Sequence, residues 1–435
     1  MRYNYVRGQY EISFFSITLH ILDDLDSIQK LPENKQKLFF HEYLHFIQDI
    51  TTVFGINSAW NQFDQIRQAI SNLQLKKGVI SLPIEGSGAQ FILDNGILYN
   101  YLFGDFMPRS KEAVKQSYLT IKGIRREVSQ QIEKIFPGSK LLFIFLDLTT
   151  PKGLNAEYTF GAAGIVETMA FLAQKKHYKE QPNDIFPYMI AVEVSKFIYD
   201  EIGSNEEYVY ALCDFSLMYH YPGHLFYDLL VQMKEESFRP LRAEDIYEFG
   251  MKFLQGVNYD IVKNYAEAKD NLIKIISILF GHEVFKNERK WLITTIEQGY
   301  DLRSQNICFP LEIYRADRAL SMEYGLIKDK LGTPNLYNLD KKRWFSAPRI
   351  MKEDEENLQP AFLEIFFHLK EVLLSGKKAC GMIDNCKVSQ RKMPIDEKCI
   401  DSPWLKAKET PLCPFGGIWK MFGLDESDVS LKSIN

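Results

Sequence analysis

The order of apolar and polar positions divides the chain into a mixed first third, a helical middle and a short tail. Residues 10–22 (YEISFFSITLHIL) are rich in β-branched and aromatic side chains and predict a strand. Pro32 and Glu33 then suit a helix start, because proline fits the first turn and an acid favours the positive end of the helix dipole. A long apolar helix is expected from there to about Phe54. Residues 90–101 (QFILDNGILYNY) set two apolar runs around Asn95-Gly96, a pair that readily takes the positive φ angles of a tight turn, and predict a β-hairpin. Strands are also expected at residues 118–122, 140–148 and 156–160, with a helix over residues 124–136. From Gly161 to about Leu331 the spacing is helical, with breaks near Pro182, Gly203, Tyr221-Pro222-Gly223 and Gly256. The expected fold class is α+β.

Composition then removes several classes. At 435 residues the chain has room for two or three domains, and 46% hydrophobic against 25% charged residues excludes low-complexity and largely disordered proteins. A formal charge of -5 offers no global attraction to nucleic acid or anionic lipid, so any such contact would be local. The longest apolar runs, residues 141–146 and 275–281, fall well short of the roughly 18 residues a membrane span needs. Arg7, Gln9 and Glu11 interrupt the place where a secretory leader would carry its apolar stretch. A cytoplasmic protein without membrane partners is expected, and its six cysteines are too few for a disulfide scaffold.

Residues 41–45 read HEYLH, an H-E-x-x-H motif inside the long predicted helix. At about 100° per residue, His45 lies about 40° around the helix from His41 and about 6 Å along it, so the two imidazoles can converge on one ion. Glu42 sits on the flank, where its carboxylate reaches a water on the ion without ligating the ion itself. Gln48 and Thr52 continue the histidine stripe. Phe39, Tyr43, Phe46, Ile50 and Phe54 gather opposite, and Phe40, Leu44 and Ile47 make a further side apolar, the pattern of a helix packed inside a domain. The bland alternative is a buried helix whose histidines only hydrogen-bond to neighbours, which would leave costly polar groups to satisfy.

On these residues the chain resembles the zincin metallopeptidases. The metzincin branch would require Gly at position 48 and a third histidine at position 51, where this chain has Gln48 and Thr51, so that branch is excluded. The gluzincin branch takes a glutamate from a later helix, usually among small residues. Residues 161–175 read GAAGIVETMAFLAQK, and the resemblance makes Glu167 the third ligand. Ala163, Gly164 and Ala170 share its helix face, which would let that helix approach the motif helix closely enough for a short carboxylate to reach zinc at about 2 Å. Glu193, Asp228, His220 and His224 are rival third ligands. The implied organisation is a zincin-like catalytic α+β domain with a mixed sheet and active-site helix over residues 1–180, a helical domain completing the cleft over 181–345, and a C-terminal module over 346–435.

The resemblance implies a zinc-dependent hydrolysis of a peptide bond in a protein substrate. His41, His45 and Glu167 would hold Zn²⁺ and leave one position for water, whose pKa would fall to about 7. Glu42 would act as general base and pass the proton to the leaving amine. Tyr219, His220 and His224, in a loop after the Glu167 helix, are candidate catalytic donors to the oxyanion. Asp49 could orient a histidine, with an ordinary surface or ion-pair role as its other reading. The Asn95-Gly96 hairpin or the strand near Tyr118 could supply an edge for the substrate.

Cys380, Cys386, Cys399 and Cys413 lie within 34 residues, a clustering that points to a second, structural zinc; without a C-x-x-C pair, free buried thiols are the other reading. Cys213 and Cys308 read as core. The tail's local positive balance, with Trp404 and Trp419 nearby, raises a partner protein or nucleic acid as a contact. The alternative to an enzyme is therefore a non-catalytic, zinc-stabilised interaction module or a nucleic-acid-associated one. Retention of Glu42 argues against it, since a structural site has no use for a general base.

Overall fold

The apolar N-terminal stretch folds as two strands instead of one. In a computed structural model of the chain, which describes residues 8–25, 28–75, 78–110, 119–179, 185–320, 322–388 and 394–431, β1 (Gly8–Glu11) and β2 (Ser16–Leu19) pair antiparallel. The chain reverses through Ser13 and Phe15, both with positive φ. The Ser13 N–H and the Tyr10 hydroxyl each donate to Asp49 Oδ2, at 2.6 and 2.9 Å, and so fasten this hairpin to the next helix.

Helix α1 (Glu33–Thr51) starts behind Pro32, as the sequence indicates, but it stops short of Phe54. Thr52 is extended, and its hydroxyl accepts from the Gly55 N–H at 3.0 Å, the N-cap bond that starts α2 (Val53–Leu75). The break is sharp because a Cβ at Gly55 would stand 2.3 Å from the Asp49 carbonyl oxygen, so only glycine lets the two helices turn this closely.

After β3 (Val79–Leu82) the predicted hairpin is absent. Residues 90–101 lie inside α3 (Ser87–Phe103), and Gly96 is mid-helix. Tyr99 and Phe103, one turn apart, stack with Phe54 of α2 at centroid distances of 6.1–6.4 Å, and this aromatic packing outweighs the local turn preference of Asn-Gly. The positive-φ glycines bracket the helix instead: Gly86 before it and Gly104 at its end.

An antiparallel sheet follows, in the order β4 (Thr120–Glu127), β5 (Phe143–Thr149), β6 (Asn155–Phe160), with α4 (Gln130–Ile135) between the first two. The expected helix from residue 124 begins later because Arg125 remains in the sheet, bonded to Asp147 on β5 and Glu157 on β6. Tyr118 lies outside the described residues.

Glu167 is carried by α5 (Ala162–Tyr178). Then come α6 (Ile190–Ile198), α7 (Asp200–Gly203), α8 (Glu206–Ser216), α9 (Pro222–Glu235), α10 (Glu244–Gly256), α11 (Ile261–Leu279), α12 (Lys286–Gln305), α13 (Phe309–Arg315) and α14 (Met322–Leu331). The breaks at Gly203, at residues 221–223 and at Gly256 coincide with helix ends, while Pro182 lies outside the described residues. The chain continues through β7 (Asn335–Tyr337), β8 (Arg343–Trp344), α15 (Phe362–Ser375), α16 (Ile383–Val388), α17 (Glu397–Asp401), α18 (Pro414–Met421) and β9 (Asp428–Leu431).

The result is a mixed, mainly helical fold of helices and strands, with three small sheets among the described residues. The sheet beside α1 runs β1-β2-β7-β8 and is completed from residues 335–344, with β7 parallel to β2; these two strands have no counterpart in the sequence reading. β9 pairs in parallel with β3. One buried hydrophobic cluster extends from Tyr10 to Leu424, so packing crosses the positions 180 and 345. No helix among the described residues is long and apolar enough to cross a membrane.

One buried ion pair ties the helices around α1. Arg303 on α12 grips Asp214 on α8 with two bonds of 2.6 and 2.8 Å and donates to the Thr51 carbonyl at the end of α1, while Tyr247 donates to the same aspartate. Both charged side chains are almost fully buried. Arg303→Met leaves the Asp214 carboxylate buried without its partner and should cost about 3–5 kcal/mol in urea unfolding. Adding Asp214→Asn to that variant should recover a measurable part of the loss, because the uncompensated charge is then gone.

Candidate metal centre

The geometry of the site follows from α1 and α5 lying side by side. His41 and His45, one turn apart on α1, turn their Nε2 atoms toward each other at 3.2 Å, and Glu167 of α5 closes the triangle. Its Oε2 is 3.2 Å from His41 Nε2, and its Oε1 is 3.7 Å from His45 Nε2. Among the described residues, these three offer ligand atoms that all lie within 4.8 Å of one another.

Gln48 sets the state of His45. Its Nε2 donates to the Val166 carbonyl at 3.1 Å, so its Oε1 faces His45 Nδ1 at 2.8 Å and must accept from it. A protonated Nδ1 leaves the Nε2 lone pair of a neutral His45 directed at Glu167, the tautomer a metal ligand needs. Because Val166 adjoins Glu167, the same amide also fixes α5 against α1. The sequence places Gln48 on the histidine stripe but does not reveal this role. His41 lacks such a partner: its Nδ1 is buried without a hydrogen bond, and Tyr188 stands edge-on to its ring at 6.0 Å.

The charges show what the cluster favours. Burial alone would push the His45 imidazolium down, but Glu167, with help from Glu42 and Gln48, outweighs this and holds it at about 9. Burial alone would raise the Glu167 carboxyl, yet His45 and His41 hold it well below the usual carboxylate range. The triad thus stabilises positive charge between two imidazoles and a carboxylate. A divalent cation satisfies the same demand, and the donor set of two imidazole nitrogens and one carboxylate suits zinc.

Glu42 is buried on the flank and is not among the three ligand atoms. It accepts from the Tyr10 N–H of β1, and burial raises its pKa. β1 passes so close that a Cβ on Gly8 would stand 2.7 Å from Glu42 Oε1. A small cavity beside His45 is lined by Tyr10, Gln48, Asp49, Phe103, Val166 and Leu217, among others.

Asp49 has neither of the roles expected for it. It is buried, and its carboxylate holds the β1–β2 turn instead of a histidine. Burial raises its pKa to about 7. A carboxyl raised in the folded state binds an extra proton there between its ordinary value and about 7, so its effect on stability becomes less favourable as pH rises through that window. The thermal midpoint should therefore fall less steeply between pH 5 and 7.5 in Asp49→Asn than in the wild type.

Gly164, expected to let α5 approach α1, makes room elsewhere: a Cβ there would meet Ile190 and the Tyr158 hydroxyl. The other candidates are engaged away from the triad. His220 Nδ1 bonds Asn57 at 3.0 Å, and Tyr219 packs against Tyr259 and His220. His224 lies between Asp228 and Arg126, and Glu193 pairs with Lys196. Trp404 and Trp419 are buried against each other, and Lys406 is buried on Asp396 and Glu409, so none of the three presents an open surface to a partner. Cys213 is buried and Cys308 half-buried; all six cysteines are free thiols.

No protein-family model matches the chain, and neither the curated proteins nor the solved structures return a match.

Proposed function

We propose that the protein is a zinc-dependent peptidase of the gluzincin type. The reading is carried by one observation: a carboxylate 122 positions after His45 lies within 3.7 Å of both H-E-x-x-H imidazoles, while Glu42 remains outside the ligand set. His41, His45 and Glu167 would hold the ion. When bound, a divalent cation there would polarise a substrate carbonyl and lower the pKa of water near it.

The chain's own groups supply the rest. Glu42, with its basicity increased by burial, takes the proton of the attacking water and delivers it to the departing amine. Gln48 keeps the His45 lone pair on the site. β1 ends its sheet among the described residues and lies against Glu42, which makes it the edge on which an extended peptide would pair.

The test uses the full chain, its metal content, and a mixture of unfolded polypeptides scored by mass spectrometry. Cleavage should fall at least about 100-fold on chelation and return with one equivalent of zinc. A zinc-loaded protein that cleaves nothing would favour the non-catalytic module. Cleavage indifferent to chelation would exclude the mechanism.

A further inference from the structure

The C-terminal segment brings together four cysteines that the proposed peptidase chemistry does not use. Cys380 precedes α16, Cys386 lies within it, Cys399 is on α17, and Cys413 caps α18. Although they come from separate turns, all four line one cavity, closed in part by Ile383, Pro414 and Phe415. The Cys380 N–H donates to the Cys399 carbonyl at 2.7 Å, which fastens two of these turns directly.

Two of the sulfurs also receive backbone donors. The Gly416 N–H points at Cys413 Sγ at 3.2 Å, the Phe415 N–H reaches the same sulfur, and the Met382 N–H reaches Cys380. Such donors stabilise a thiolate far more than a thiol, and a thiolate is the form that ligates metal. No disulfide joins these cysteines, so all four sulfurs are free to ligate.

We propose that Cys380, Cys386, Cys399 and Cys413 form a tetrathiolate site for a soft divalent cation of the zinc class. This site is independent of the peptidase reading. No three of the sulfurs lie as close together as the ligand atoms of His41, His45 and Glu167, so binding would require the cysteines to move inward. Because β9 follows this module directly and pairs with β3, the metal would secure the attachment of the chain's last segment to its first third.

The probe is Co²⁺ added to the reduced, chelator-stripped full chain. One equivalent should produce thiolate-to-cobalt charge-transfer absorption that Zn²⁺ then displaces. His45→Ala should retain the signal and Cys386→Ser with Cys399→Ser should lose it, so this site and the histidine site can fail separately. Alkylation of the wild type with and without zinc, read by mass spectrometry, guards against a variant that does not fold: zinc should protect these four thiols and leave the labelling of Cys308 unchanged. Absence of the charge-transfer band, equal alkylation with and without zinc, or two disulfides among the four would each overturn the proposal.

Discussion

Glu42→Gln is expected to bind zinc as the wild type does and to hydrolyse peptides about 10²–10⁴-fold more slowly, the range that a positioned general base contributes. The two properties separate because Glu42 lies outside the group of atoms that can ligate the ion. The amide has nearly the same shape, so it can still accept from the Tyr10 N–H and leave β1 in place. What it cannot do is take a proton. The loss should therefore appear in kcat with little change in KM, since an interaction made only in the transition state is removed. Equal turnover by the two forms at equal zinc content would be incompatible with Glu42 as the base. Loss of zinc together with activity would instead place Glu42 among the ligands.

How much of this was legible in the sequence depended on the range of the forces involved. The position of His41, Glu42 and His45 on one helix is a local property, fixed by 3.6-residue periodicity and by Pro32, and it could be read directly. Glu167 came from the resemblance, and the structure adds that α5 brings it against α1. Gln48 was visible as a position, but its action depends on the Val166 carbonyl 118 residues away. Asn95-Gly96 was misread for a similar reason. The dipeptide favours a turn locally, whereas the stacking of Tyr99 and Phe103 on Phe54 is a long-range contact that no window around Gly96 contains. β7 and β8 went unseen because three- and two-residue strands carry almost no alternation signal, and the pairing of β7 with β2 closes over more than 300 residues.

The second large effect is expected at Glu167. Glu167→Ala removes one of the three proposed ligands and should weaken zinc binding by at least 10²-fold, more than the 10–100-fold typical of losing an outer-shell partner. Hydrolysis should fall with the zinc content and recover only in part at high zinc. Glu167→Gln should behave almost as poorly, because a neutral amide replaces the charge that balances the ion. The zinc-free proteins give an independent readout. Since Glu167 is the main group raising His45 to about 9, the stabilisation that this pairing supplies is fully present below the ordinary histidine value and is lost as pH rises through about 9. The chelated wild type should therefore lose thermal stability between pH 6.5 and 9 relative to Glu167→Ala, in which the imidazole has no carboxylate partner to lose. Parallel pH profiles for the two chelated proteins, with zinc affinity unchanged, would mean that Glu167 and the imidazoles do not act as one unit in solution, and the proposed hydrolytic centre would have no third ligand.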